Sequence, residues 1–83
     1  MSFPDKQTIA CIRAEYPVGT RVKLERMLDI QAPPAGTIGE VVGVDDAGSL
    51  LMKWSTGSTL SVVYGEDRVR KLTKEEEREH GEV

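Results

Sequence analysis

Alternating apolar and polar positions in the middle of the chain predict a β-hairpin. Its second strand carries apolar side chains at every other position, at Leu50, Met52 and Trp54, which is typical of a half-buried strand. A valine-rich stretch at 41–44 supplies the first strand. The connection at 45–48 contains two Asp residues and a Gly, which favour tight turns. We therefore expect the Trp54 side chain to lie in the core.

Residues 4–15 have an apolar spacing that predicts a helix before the hairpin. Ile9, Ile12 and Tyr16 fall on one face at helical spacing, and we expect this face to pack against the strands. Pro4 suits a first helical turn. Either of two residues can cap the helix at its N-terminus, Ser2 or Asp5.

Three further stretches predict strands, which brings the expected total to five. Residues 21–25 alternate cleanly, and shorter strands are expected at 59–62 and 68–72. A second tight turn is expected at 55–57. The loop at 27–36 contains two consecutive prolines, which exclude a helix or a central strand. Because several of its side chains are apolar, we expect this loop to fold against the rest of the domain.

The acidity of the chain is concentrated in its C-terminal segment. The net charge is −3, and residues 73–83 alone carry five Glu against two basic residues, which leaves residues 1–72 neutral. Thr73 and Glu76 have the spacing of a capping box, but the segment has no apolar face, so we expect a frayed helix or disorder. Three segments follow from this pattern: an amphipathic helix at 1–15, a β-barrel at 16–72 and an acidic tail at 73–83.

The order of the predicted strands is that of an SH3-like barrel, a bent sheet closed on itself. A long loop follows the first strand, tight turns join the second, third and fourth, and a one-turn break precedes the fifth. The fold class expected from the sequence is therefore mainly β. It consists of a five-stranded SH3-like barrel, preceded by one N-terminal α-helix and followed by a charged tail.

Several sequence blocks together carry a closer resemblance. They are Tyr-Pro-Val-Gly-Thr-Arg-Val at 16–22, Pro-Ala-Gly-Thr-Ile-Gly at 34–39, Gly-Val-Asp-Asp-Ala-Gly at 43–48, Lys-Trp at 53–54 and Gly-Glu-Asp-Arg at 65–68. In these blocks the chain resembles the uncharacterised bacterial and phage family catalogued as domain of unknown function 4314. The resemblance implies a small SH3-like barrel, often carried by phages and mobile elements, and it supplies no activity and no site residues. More loosely, residues 36–41 are similar to the Gly-x-x-Gly-x-Val core of KOW elements.

The residue types that catalysis requires are scarce in this chain. His80, the one histidine, lies in the charged tail, where we expect it to be solvated. Cys11 lies in the predicted helix with no His nearby in sequence, and we expect a buried structural thiol. The acidic pairs at 45–46 and 66–67 are explained more simply by turns and caps than by metal binding. With no nucleophile–base arrangement, phosphate loop or zinc spacing, we expect neither an enzyme nor a cofactor.

Cysteine usage and the N-terminus predict a cytoplasmic protein without membrane contact. A single Cys allows no intrachain disulfide, which is typical of a reducing compartment. The first residues lack the basic start and apolar run of a signal peptide, and no stretch approaches the length that crosses a bilayer.

The first functional hypothesis is a protein-interaction module that acts as a monomer or a homodimer, for example as a phage or mobile-element accessory. It predicts an exposed apolar patch around the 27–36 loop. Neutral charge and scarce aromatic residues favour this hypothesis over nucleic-acid binding. The scarcity of aromatic residues also disfavours a groove for proline-rich ligands. The candidate protein-binding residues are Met27, Leu28, Ile30, Pro33, Pro34 and Tyr64.

The second hypothesis is a nucleic-acid-binding accessory that uses a basic patch on the first and last strands. Four basic side chains point outward there if the alternating apolar residues face the core: Arg21, Lys23, Arg68 and Arg70. Such a patch contacts RNA, DNA or an acidic peptide. The plainer alternative is a solvated face on which these groups pair with Glu25, Glu66 or Asp67. A third hypothesis is a small-ligand binder with a pocket between protomers.

Overall fold

A computed structural model describes residues 5–81 of the chain. In chain order, the elements are helix α1 (Lys6–Glu15), strands β1 (Arg21–Arg26), β2 (Ile38–Val44), β3 (Leu50–Trp54) and β4 (Arg68–Lys71), and helix α2 (Lys74–Gly81). The strands form one antiparallel sheet in the order β3-β2-β1-β4. The predictions that Ser2 caps the first helix and that Pro4 lies in its first turn concern positions outside the described residues.

Within residues 5–81 the sheet is open and has four strands, whereas the sequence predicted five strands closed into a barrel. The predicted fourth strand is reduced to a single bridge between Leu50 and Val62. The backbone carbonyl and amide of Leu60 form hydrogen bonds with nearby side chains instead. Its carbonyl accepts a hydrogen bond of 2.8 Å from Nε1 of Trp54, and its amide donates to the Ser58 hydroxyl at 3.2 Å. Because both backbone groups of Leu60 are paired with side chains, they do not extend the ladder of hydrogen bonds along β3.

The alternation in β3 is confirmed, since its odd and even positions face opposite sides of the sheet. Trp54 is only 2 % exposed and lies in the core, as predicted. The core cluster draws on α1, three strands and the segment after β3, and comprises Ile12, Val22, Leu24, Val41, Leu50, Met52, Trp54 and Val62. Both predicted tight turns form, with Gly48 and Gly57 at positive φ.

Helix α1 packs its apolar stripe against the sheet, as its spacing predicted. Asp5 caps it by accepting a hydrogen bond of 2.8 Å from the Thr8 amide, which holds the pKa of the Asp5 carboxyl below its usual value. Ile9 and Ile12 are buried. The prediction of a buried Cys11 was wrong, because this thiol is exposed. Each helical residue is rotated by about 100° from its neighbour, so Cys11 turns away from the face that Ile12 buries.

Gly39 in β2 is required by the Trp54 ring. The two residues are directly opposite each other in the β2–β3 ladder. A Cβ atom on Gly39 would lie 2.9 Å from Cδ2 and Cζ3 of the indole, and closer still to Cε3. Real Cβ atoms do not approach ring carbons so closely, and the ring is fixed by its hydrogen bond to the Leu60 carbonyl. The ring therefore packs directly on the glycine backbone.

Replacement of Gly39 by Ala is expected to lower the free energy of unfolding by about 1–3 kcal/mol, because the added methyl group overpacks the core. Gly43→Ala in the same strand is the matched control, since a Cβ there meets only the flexible Leu51 side chain, at 3.4 Å. The control should stay within about 0.5 kcal/mol of wild type. Urea unfolding of both variants measures the difference, and equal losses would contradict this account of the Trp54 ring.

Candidate functional site

The loop after β1 and the segment after β3 enclose a groove of about 300 Å³. We call it the loop groove. It is lined by Met27, Leu28, Asp29, Leu60, Ser61, Val63, Glu66 and Asp67. Four of its lining side chains are apolar and its charged side chains are all acidic, so the groove offers hydrophobic surface together with negative charge.

Apolar side chains of the loop groove remain open to solvent. Leu28 is 79 % exposed and Val63 is 41 % exposed, while Met27 is partly buried and packs against the core. Single exposed apolar residues are common on protein surfaces. Two of them within one concave site, beside an anchored third, form the kind of feature that binding sites present.

The backbone on both sides of the loop groove is fixed by hydrogen bonds. On the loop side, the Asp29 carboxylate accepts a hydrogen bond of 2.8 Å from the Gln31 amide, and the Asp29 carbonyl accepts one of 3.0 Å from the Ala32 amide. On the opposite wall, the Asp67 carboxylate accepts a hydrogen bond of 2.8 Å from the Val63 amide. The groove is therefore shaped by contacts that exist before any partner arrives.

The predicted protein-binding residues are only partly brought together. Met27 and Leu28 line the loop groove, whereas the other four lie outside its lining. Ile30 is fully exposed, Pro33 is buried and Pro34 is exposed. Tyr64 is half exposed and borders a separate cavity of about 120 Å³. The expectation that the loop packs on the domain thus holds for Met27 and Pro33 but not for its tip.

Sequence reasoning missed Leu60 and Val63 as groove residues because both belonged to a predicted strand and its edge. Val62 and Val63 are consecutive, and the first is buried while the second is exposed. Successive side chains of an extended segment point to opposite faces, so one of these two valines had to face outward. That was the signal for an exposed apolar residue in the sequence.

A second feature is the basic strand face, which we define as Arg21 and Lys23 of β1 with Arg70 of β4. Lys23 lies directly opposite Arg70 in the antiparallel ladder. Like charges in this arrangement repel each other and destabilise a sheet. An anion between them is therefore the natural complement.

Helix α2 supplies that anion. Both carboxylate oxygens of Glu76 accept hydrogen bonds of 2.8 Å from the Arg70 guanidinium, and Lys23 Nζ donates to the same carboxylate at 2.8 Å. Glu77 lies 3.9 Å from Arg21, and Glu25 lies 3.8 Å from Arg70. Three of the four predicted basic residues thus form one ion-pair cluster with the acidic segment.

The capping box that begins α2 is confirmed. The Thr73 amide donates to Glu76 at 2.9 Å, and the Glu76 amide donates to the Thr73 hydroxyl at 3.1 Å. Glu76 therefore both starts its own helix and binds the sheet. Hydrogen bonds from Arg70, Lys23 and the Thr73 amide hold the pKa of the Glu76 carboxyl far below its ordinary value of 4.5. The ion pair with Glu76 correspondingly raises the pKa of Arg70.

The fourth predicted basic residue, Arg68, is exposed and lies across from Arg26, beyond a shift in the β1–β4 register. That shift separates it from the Glu76 cluster. Of the three acidic partners considered from the sequence, only Glu25 reaches a basic residue of this face. Glu66 and Asp67 line the loop groove instead.

Two features are absent from residues 5–81, a metal-binding cluster and a membrane-spanning helix. No group of three or more His, Cys, Asp or Glu side chains in that part of the chain is arranged to hold a metal ion. No helix there has the length and apolar character needed to cross a bilayer. The side chain of His80 lies outside the described part of the structure.

The model of the family described as "Domain of unknown function (DUF4314)" matches residues 5–72. The chain belongs to this family. No curated protein and no solved structure is significantly similar to the chain. The loop groove and the basic strand face lie within the DUF4314 match, whereas α2 follows it.

The contribution of Glu76 to stability is expected to be complete at neutral pH and to be lost under acidic conditions. A carboxyl whose pKa is depressed on folding stabilises the native state above its unfolded value, here 4.5. This contribution is lost as the pH falls below that value toward the folded pKa. Urea unfolding of wild type and Glu76→Gln across this range measures it.

The matched control is Glu75→Gln, which removes one exposed charge from the same helix. The stability gap between wild type and Glu76→Gln should be constant near neutral pH and shrink below pH 4.5. The gap for Glu75→Gln should be small throughout. A gap for Glu76→Gln that does not change with pH would contradict the assigned role of the ion pairs.

Proposed function

We propose that this DUF4314 domain is a non-enzymatic protein-binding module whose loop groove takes an apolar side chain from a partner segment flanked by Lys or Arg. The observation that carries the proposal is the 79 % exposure of Leu28 beside the exposed Val63 in one concave site. Covering these side chains removes apolar surface from water, which is the main favourable term in protein association.

Charge complementarity supports the chemistry assigned to the partner. The charged groups that line the loop groove are Asp29, Glu66 and Asp67. These carboxylates repel an acidic partner, whereas Lys or Arg next to an apolar anchor meets opposite charge. The partner segment is therefore expected to be basic as well as apolar.

The fixed backbone around the loop groove supports binding by a preformed site. Because hydrogen bonds within the domain already hold Asp29 on one wall and Val63 on the other, little ordering is required of these parts of the groove. A site that is preorganised loses less conformational entropy when a ligand binds.

The finer structural and biological expectations also belong to this proposal. An SH3-like relationship is supported by the strand order β3-β2-β1-β4 together with the bridge between Leu50 and Val62. We further propose a cytoplasmic phage or mobile-element accessory that acts as a monomer or homodimer. The nucleic-acid alternative has weaker support, since Arg21, Lys23 and Arg70 are already paired with carboxylates. The small-ligand alternative has no specific observation in its favour.

A selection from a random peptide library against the full chain tests the proposed groove. The expected peptides contain an apolar residue flanked by Lys or Arg. Leu28→Asp should weaken their binding by at least about tenfold, since it places a charge where the apolar anchor binds. Fluorescence anisotropy with a labelled peptide measures the change.

Val18→Asp is the matched control, because Val18 is also highly exposed but does not line the loop groove. It should bind the selected peptides within about twofold of wild type. Selection of acidic peptides, or equal losses in Leu28→Asp and Val18→Asp, would refute the proposal.

A further inference from the structure

Helix α2 is held on the sheet by charge. Its sequence, Lys-Glu-Glu-Glu-Arg-Glu-His-Gly, contains no large apolar residue. Its contacts with the strands include the Glu76 pairs with Arg70 and Lys23 and the pair of Glu77 with Arg21. These ion pairs lie at the protein surface, where salt screens them and other charged groups can compete for them. The covering of the basic strand face by α2 is therefore reversible.

The basic strand face has the features of a carboxylate-binding site. The Arg70 guanidinium binds both oxygens of one carboxylate, and Lys23 binds the same group from the neighbouring strand. Two parallel hydrogen bonds from Arg to a carboxylate are among the strongest and most geometrically specific ion pairs in proteins. Glu76, although it belongs to this chain, stands where a ligand carboxylate would stand.

We propose that the basic strand face is a second binding site, for a carboxylate-rich helical segment of a partner protein, and that α2 is the intramolecular competitor for it. The partner displaces α2 by offering carboxylates in place of Glu76 and Glu77. The site is separate from the loop groove, because Arg21, Lys23 and Arg70 are absent from the groove lining. Its existence does not depend on the function proposed above.

The surroundings of the basic strand face favour an acidic protein segment over nucleic acid. Glu40 lies directly opposite Arg21 in the ladder, and Glu25 approaches Arg70. A continuous phosphate backbone would be repelled by these two carboxylates, and residues 1–72 have no surplus of basic charge to compensate. An acidic helix places its carboxylates at separate points, as α2 does with Glu76 and Glu77.

Removal of the two contacting charges from α2 tests the proposal in the full chain. The variant Glu76→Gln/Glu77→Gln weakens the competitor, while Gln at position 76 preserves the capping box that starts the helix. The probe is a labelled synthetic peptide with the sequence of residues 73–83, added in trans. Its binding is followed by NMR shifts of the Lys23 and Arg70 amides.

The matched control is Glu75→Gln/Glu79→Gln, which changes the net charge by the same amount at two exposed positions of α2. The peptide should bind the Glu76→Gln/Glu77→Gln variant at least about tenfold more tightly than it binds the control or wild type. Adding Arg70→Ala to the first variant should abolish this gain.

Three results would overturn the proposal. One is equal peptide affinity in the two double variants, which would mean that α2 does not compete for the site. Another is binding that survives Arg70→Ala. The third is tighter binding of a single-stranded oligonucleotide than of the acidic peptide by the Glu76→Gln/Glu77→Gln variant, which would assign the face to nucleic acid.

Discussion

The packing of the Trp54 ring on Gly39 is the contact on which most of the domain depends. It joins β2 to β3 at a point where no side chain other than hydrogen fits on the opposite strand. The same indole donates a hydrogen bond to the Leu60 carbonyl, which holds the segment after β3 against the sheet. That segment provides Val62 to the core and Val63 to the loop groove. One aromatic residue thus links the core of the domain to the shape of its candidate site.

The two candidate surfaces differ in the physical term that would drive binding. The loop groove combines exposed apolar side chains with acidic ones, so burial of apolar surface would drive binding there and charge would select the partner. The basic strand face is hydrophilic, and its charges are already satisfied by Glu76 and Glu77. A ligand at this face would have to replace the ion pairs of α2, so its net gain in free energy would be the difference between the two sets of contacts. The segment that matches the DUF4314 family model contains the residues of both surfaces and ends before α2.

Local patterns predicted helices, strands and turns well because their physical causes are local. Alternation placed Trp54 in the core, and the Thr73 and Glu76 spacing identified the capping box. The barrel prediction was less successful. Residues 59–62 have the composition of a strand, but the backbone of Leu60 is taken by the Trp54 indole and a serine hydroxyl. Competition between side-chain and ladder hydrogen bonds cannot be read from composition.

The sequence by itself determined the alternation of the strands, the apolar stripe of α1, the two glycine turns and the concentration of acid in the tail. Only the tertiary structure decided which loop residues are exposed, with Leu28 outside and Met27 partly buried. It also decided that Glu76 binds Lys23, a residue 53 positions away. Both outcomes depend on how distant segments meet in space, whereas propensity and periodicity describe only neighbours along the chain.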